Sequence, residues 1–286
     1  MGKINLDENQ ILELYNSGTS SIKIAEMLGC ADSTVRNRLK KLGVSLRDNT
    51  FYRKFHTWDD NFFENIDTEE KAYWLGFMYA DGNVRQCHNS YYIKLAVADF
   101  EVIERFKKDL KASHKIGIYV RKTKGQDLYY LIISSKKMAN DLIRHGCIVR
   151  KSLVLTFPTT VPEHLMWHFI RGYFDGDGCI CSYIKRSTQK YKNKTITYEY
   201  PKLALNICGT QEFLTELQKY IVGAKLYKEK RKSTNCYRLE SQHQQYITDF
   251  CKNMYKDATI YLSRKYKKFI DFSKKTFNDF NTAPVQ

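Results

Sequence analysis

The sequence has no apolar run near the roughly 20 residues that a membrane-spanning helix needs. Its longest, Ala72 to Ala80, has nine. Its eight cysteines include no Cys-x-x-Cys pair, which argues against a zinc ribbon. They are expected to be reduced, mostly small core residues of a cytosolic protein. The stretch Met1 to Asp7 shows no signal-peptide apolar region, so secretion is not expected. Acidic residues are also few: 31 Asp plus Glu face 47 Lys plus Arg in 286 residues, a formal net charge of +16. What the chain does have is apolar material, 43% hydrophobic with 14% aromatic. That suffices for a sizeable core and excludes disorder as the main state. A folded body with this much positive charge points to a polyanionic partner, nucleic acid before membrane.

Residues 1–46 read as a separate helical unit, followed by a polar linker over 47–57. Ile11, Leu12, Leu14 and Tyr15 share one helical face that ends at Asn16-Ser17-Gly18. Ser20 or Ser21 is placed to cap a second helix, with Ile24, Ala25 and Leu28 inward and Gly29 closing it. Asp32 is placed to cap a third, Ser33 to Leu42, on the stripe Val35, Leu39 and Leu42, with Gly43 as its stop. Small Ala25 four residues before Gly29 fits two closely crossing helices, as in a helix-turn-helix. The third helix turns Ser33, Thr34, Arg36, Asn37, Arg38, Lys40 and Lys41 outward, a set suited to a DNA major groove. A small helical cap with a solvated basic face is the plainer alternative.

Beyond the linker the chain repeats itself, in segments 58–158 and 159–286. In the first, a helix ends in Trp74-Leu-Gly-Phe-Met-Tyr-Ala-Asp81-Gly82. A strand pair, a helix from Asp99 to Leu110, strands near 116–121 and 128–133, and a helix near 136–145 follow, then Val149-Arg150-Lys151-Ser152. In the second, a helix ends in Ile170-Arg-Gly-Tyr-Phe-Asp-Gly-Asp177-Gly178. Strands near 179–185 and 203–208, a helix over 210–222, strands near 225–231 and 236–240, a helix near 242–254 and Leu262-Ser263-Arg264-Lys265 follow. Helix, two strands, helix, two strands, helix occurs twice. The fold class is therefore α+β, a pseudo-two-fold of two sheets.

Gly76 and Ala80 lie four apart on the first motif helix, as do Gly172 and Gly176 on the second. Small residues at this spacing form a flat stripe on which two helix backbones approach closely. An aspartate follows each stripe by one residue, Asp81 and Asp177. If the stripes pack together, both carboxylates emerge at helix C-termini, where partial negative charge and mutual repulsion disfavour them. A bound divalent cation offsets both penalties. Mg²⁺ takes carboxylate, carbonyl and water oxygens and completes its shell with substrate phosphate.

Leu75-Gly-Phe-Met-Tyr-Ala-Asp-Gly82 and Ile170-Arg-Gly-Tyr-Phe-Asp-Gly-Asp-Gly178 resemble the paired motifs of LAGLIDADG homing endonucleases. The resemblance covers roughly Trp58 to Phe272. It implies two α/β halves joined through the motif helices, with saddle-like antiparallel sheets gripping double-stranded DNA. It implies Mg²⁺ at Asp81 and Asp177, with the preceding carbonyls of Ala80 and Gly176 as further ligands. The basic catalytic residue of that family falls on Lys151 and Lys265, each after an arginine. The first motif departs from the pattern at Trp74 and at Tyr79, where the second has Asp175. That departure bears on helix packing more than on chemistry. Minor-groove cleavage with short 3′ overhangs is implied, by a single chain acting as a monomer on a non-palindromic site. Such enzymes belong to mobile genetic elements, and a cytoplasmic, nucleoid-associated protein is expected. A non-cleaving relative of the same fold, an intron RNA maturase or a DNA-binding regulator, is the alternative.

Other features read more plainly. Asp175 suits a helix-end or interface role better than metal ligation, and its run lacks the later ligands of a calcium loop. His164 and His168 lack the glutamate of a zinc-protease helix and suit packing or surface roles. The basic runs 185–194 and 225–232 suit phosphate contact over solvated loops. Alternation sends Ile93, Leu95 and Val97 inward and leaves Tyr92 and Lys94 outward. By the same rule Ile118 and Val120 leave Tyr119 and Arg121 outward, and Ile180 and Ile184 leave Tyr183 and Lys185. Leu203, Leu205 and Ile207 leave Lys202 and Asn206. With Arg231, these are the expected DNA contacts.

Overall fold

The computed structural model describes residues 7–47, 56–121, 125–192, 194–229 and 235–279. The chain divides into two compact units, Met1–His56 and Thr57–Gln286. The linker residues 48–55 and the expected contact Arg231 lie outside the described residues.

The first unit holds α1 (Glu8–Asn16), α2 (Ser21–Leu28) and α3 (Asp32–Lys41). Asp7 accepts from Asn9 N at 2.9 Å to open α1, and Ser20 accepts from Lys23 N at 3.2 Å to open α2. Gly29 closes α2 at φ +63°, a left-handed conformation that a side chain disfavours. Ile11, Tyr15, Ile24, Ala25, Val35 and Leu39 form a core of their own. One expectation changes here. Asp32 is the first helical residue of α3, not its cap; the cap position is Ala31, with no side-chain bond. Arg38 is half-exposed, its guanidinium paired with the equally exposed Glu8 of α1. Ser33, Thr34, Arg36 and Asn37 are exposed, Arg36 lying 3.8 Å from Asp32.

The second unit runs α4 (Glu69–Ala80), β1 (Asn83–Cys87), β2 (Ser90–Val97), α5 (Phe100–Asp109), β3 (Gly117–Tyr119), β4 (Leu128–Ile133) and α6 (Lys136–Arg144). It continues with α7 (Met166–Asp177), β5 (Gly178–Tyr191), β6 (Lys194–Gly209), α8 (Gln211–Leu217), β7 (Lys225–Lys228), β8 (Tyr237–Ser241), α9 (Gln244–Tyr255) and α10 (Ser263–Asp279). Two antiparallel sheets result, ordered β1-β2-β4-β3 and β5-β6-β8-β7. The repeated order of elements is the expected α+β pseudo-two-fold. Helix α10 was not anticipated, and α8 is shorter than the helix expected over 210–222.

One core joins both repeats, with α4 and α7 at its centre. Every residue from Ala72 to Tyr79 and from Phe169 to Asp175 is buried, so both helices are covered on all sides. The glycines explain how. A Cβ on Gly76 would stand 2.0 Å from Phe169 O, and one on Gly172 would stand 1.9 Å from Tyr73 O. The helices touch backbone to backbone, and no side chain can yield at either point. Gly172→Ala is therefore expected to cost about 1–3 kcal/mol as an overpacked contact. A fall in urea midpoint at unchanged slope would register it; an unchanged midpoint would mean the two helices are not in contact there.

The inward faces carry Val84, Ile93, Leu95, Leu131 and Ile133 in one sheet and Ile180, Leu203, Leu205, Ile207 and Leu239 in the other, all buried. Three residues expected inward are not covered: Ile118, Val120 and Ile184 are 54%, 73% and 56% exposed. Ile118 opposes Tyr129 and keeps the inward side, but β3 is an edge strand that the core does not reach. Val120 lies past the end of β3. Among the cysteines only Cys147 and Cys251 are buried, so most are not core residues as expected. Among the described residues no helix is long and apolar enough to cross a membrane.

Candidate active site

The motif helices end side by side. Asp81 is the C-cap of α4 and Asp177 the last residue of α7. A Cβ on Gly176 would lie 2.3 Å from Ala80 Cβ and 3.4 Å from Asp81 Oδ2, so the two ends adjoin. Both carboxylates bear on the buried Tyr173 hydroxyl; burial raises its pKa and their charges raise it further. Gly76, Ala80, Gly172 and Gly176 are thus the helix interface that the sequence placed there.

Each helix end is closed by a buried ammonium. Lys151 Nζ donates to Ala80 O at 3.1 Å and Gly82 O at 2.6 Å. Lys265 Nζ donates to Phe174 O at 2.6 Å, Asp175 O at 2.8 Å and Gly178 O at 2.5 Å. A positive charge at a helix C-terminus offsets the macrodipole, so these lysines hold the two carboxylate-bearing turns in place. They are only 7% and 4% exposed, which corrects any picture of free catalytic side chains. Burial drives the Lys265 pKa down to about 8, with Asp175 and Asp81 opposing. Burial likewise raises the Asp81 pKa, against the pull of Lys265, Lys151 and Arg264.

Asp175 is fully enclosed and accepts from Leu262 N at 2.7 Å and Tyr73 OH at 3.0 Å. Burial pushes its pKa up to about 6. It ties α7 to α4 and to the start of α10. Its counterpart Tyr79 donates to His145 O and meets Phe169 edge-on at 5.0 Å. The departure of the first motif from the pattern is thus absorbed by packing. His168 accepts from Arg171 at 3.0 Å and His164 is exposed.

Outward from Asp81 the first sheet forms a groove of about 650 Å³, lined by Asp81, Asn83, Arg85, Tyr92, Lys94 and Tyr119 among others. Lys94 Nζ sits 4.5 Å over the Tyr119 ring, which stacks on Tyr130 at 4.2 Å. Asn83 and Arg85 escaped the sequence reading, although alternation along β1 places them on the same face as Lys94 and Tyr92. In the second sheet the register sets Tyr183 opposite Lys202, Lys185 opposite Tyr200 and Cys179 opposite Asn206. Tyr183, Lys185, Lys202 and Asn206 therefore share one outward face. Arg121 lies beyond β3, with its backbone N–H donating to Asp127 at 3.0 Å. A second cavity of about 300 Å³ is lined by Asp81, Asp99, Asp175, Gly176 and Arg264 among others. There Arg264 of the second repeat bonds both oxygens of Asp99 of the first at 3.1 Å. No spacing rule pointed to that pair.

The donor set suits a hard divalent cation. Asp81 and Asp177 supply two carboxylates, and such an ion takes its remaining oxygens from water and phosphate. Among the described residues no group of three or more His, Cys, Asp or Glu side chains forms a closed cage. The Ala80 carbonyl, expected as a ligand, already accepts from Lys151.

No family model matches the sequence. The chain is 28% identical over 221 residues to the uncharacterised protein MJ0314 of Methanocaldococcus jannaschii, spanning 59% of this chain and 80% of that one. It is 24% identical over 146 residues to the DNA polymerase II large subunit of Thermococcus kodakarensis, spanning 49% of this chain but 8% of that one. Among solved structures it aligns with the meganuclease I-SmaMI bound to uncleaveable DNA. That match has a TM-score of 0.50 at 15% identity and covers 73% of this chain and 91% of the other. I-SmaMI is a LAGLIDADG homing endonuclease. With two motif helices locked on their glycines beneath two four-stranded sheets, the chain has the LAGLIDADG-type fold.

Proposed function

We propose that the protein is a site-specific double-strand DNA endonuclease that hydrolyses phosphodiesters with Mg²⁺ and leaves short 3′ overhangs. One observation carries the reading: two carboxylates, one per repeat, stand at adjoining helix ends beside a groove of lysine, arginine and tyrosine. Asp81 and Asp177 would hold the ion, whose chemistry there would be to activate water and stabilise the departing 3′ oxygen. Lys151 and Lys265 fix the turns that carry these aspartates and add positive charge to the site. Lys94, Tyr119, Arg85, Tyr183, Lys185, Lys202 and Asn206 engage phosphates and base edges from the two sheets. Because both motifs lie in one chain, a single copy suffices and the target need not be palindromic.

The test is incubation with a library of duplex sites and Mg²⁺, followed by sequencing of cut ends. Clustered ends with a constant 3′ overhang are expected. Binding without cuts would make the protein a non-cleaving DNA- or RNA-binding relative of this fold. Lys151→Ala and Lys265→Ala should each slow cleavage about 100-fold, because a turn that carries an aspartate loses its fastening and the site loses a positive charge, with affinity little changed. Normal cutting by both variants would mean that neither lysine positions an aspartate or adds to the site.

The three-helix unit is proposed as a second DNA reader of helix-turn-helix type, through Ser33, Thr34, Arg36 and Asn37. A tethered reader raises affinity through effective concentration and steepens salt dependence. Since each unit has its own core, a chain starting at Thr57 should fold and cut at high concentration, with weaker binding. Full affinity in that truncated chain would leave the unit as a cap or partner-binding module.

A further inference from the structure

The two sheets are unequal in one respect. In the first repeat, β2 runs past the end of β4 for only three paired positions, Arg85↔Tyr92 to Cys87↔Ser90. In the second, β6 pairs with β8 only from Leu205 onward, so the β5–β6 hairpin runs on for eleven pairs, Cys181↔Ala204 to Tyr191↔Lys194. At about 3.4 Å per residue these overhangs are about 10 Å and about 37 Å long. Pro201 lies within the longer one, where β6 has no second neighbour to bond.

A two-stranded ribbon is marginal in water by itself, and this one has exposed Ile184, Ile196 and Tyr198. Its composition states what it suits. Residues 181–204 hold six Lys or Arg and one acidic residue, Glu199, whereas residues 85–92 hold one arginine. Glu199 pairs with Arg186 at 2.6 Å, and that pair occupies the face opposite Tyr183 and Lys185. The face continuous with Asn206 therefore presents Tyr183, Lys185, Gln189, Tyr198, Tyr200 and Lys202 with no carboxylate among them. A two-stranded ribbon fits the DNA major groove, and about 37 Å is close to one turn of duplex.

On the endonuclease reading, we infer that this hairpin makes the two half-sites unequal: the second repeat engages about eight more base pairs of flanking duplex than the first. The excess of eight paired positions at about 3.4 Å corresponds to eight base-pair steps.

Hydroxyl-radical footprinting on a duplex selected from a random library tests this. In the full chain the protected region should extend further from the cut on one side. Replacing residues 186–199 by Asn-Gly removes six pairs and closes the hairpin with a two-residue turn. That edge of the footprint should then retract by about six base pairs while the other stays in place. Lys185→Ser with Lys202→Ser, which leaves the hairpin intact, should reduce the slope of log K against log salt by about 2. A footprint whose two edges are unmoved, or retract equally, overturns the inference, as does an unchanged salt slope. A full chain that protects no selected duplex overturns the endonuclease reading as well.

Discussion

Asp81→Asn and Asp177→Asn are each expected to abolish double-strand cleavage while leaving site binding largely intact. Each change removes one of the two carboxylates at the adjoining helix ends and so part of the charge that, on the endonuclease reading, would hold the metal. Metal-derived stabilisation of the transition state is worth several kcal/mol, or about 1000-fold or more in rate. Affinity should survive because the same change relieves repulsion between two carboxylates facing phosphate. The neutral amide also removes the cost of burying a charge at Asp81, a cost that raises its pKa above the usual carboxylate range. Single-turnover cleavage and a binding titration on the same duplex separate the two effects. Wild-type rates in either variant would remove that residue from the metal site, and loss of binding alongside cleavage would mark it as structural.

Arg171→Met should produce the largest loss of stability, about 3–5 kcal/mol. Arg171 is fully buried within α7 and donates to Ile260 O at 2.7 Å, Met254 O at 2.8 Å and Glu69 Oε1 at 2.6 Å. Glu69 in turn accepts from Thr259 N at 2.7 Å and Ile260 N at 3.2 Å. Removing the guanidinium leaves the largely buried Glu69 carboxylate without its countercharge and two carbonyls without that donor. Adding Glu69→Gln should recover part of the loss, giving a coupling energy between the two sites. A urea midpoint close to wild type in the single variant would mean that water reaches and replaces the guanidinium.

The sequence announced the helix stripe and the paired aspartates because both rest on local spacing. Gly76, Gly172 and the two Asp-Gly ends carry their meaning in their own few residues. Alternation also placed Lys94, Tyr183 and Lys202 correctly, since a strand's two faces follow from parity. It failed at Ile118 and Ile184 because parity says which way a side chain points, not whether anything lies over it. Arg171 stands among apolar residues in its helix, yet its partners sit 102 residues before it and 83 to 89 after it. Arg264 and Asp99 meet across the repeats for the same reason. Such pairings are decided by topology, and no local signal marks them. The length of the β5–β6 hairpin was hidden by its polar composition, which reads as loop wherever a strand has no buried face.

The contact of α4 with α7 has a further consequence for synthesis on the ribosome. Domains emerge and fold from the N-terminal side, so the first repeat is exposed before α7 has been made. During that interval Gly76 and the apolar residues around it have no cover. A stripe of this kind matches another copy of itself, and neighbouring nascent chains on one message each present it. Paired first halves are therefore the expected by-product of dense translation. Soluble yield should rise when initiation is slowed at constant message level, and it should rise further when the first repeat is made in the presence of a separately supplied second repeat.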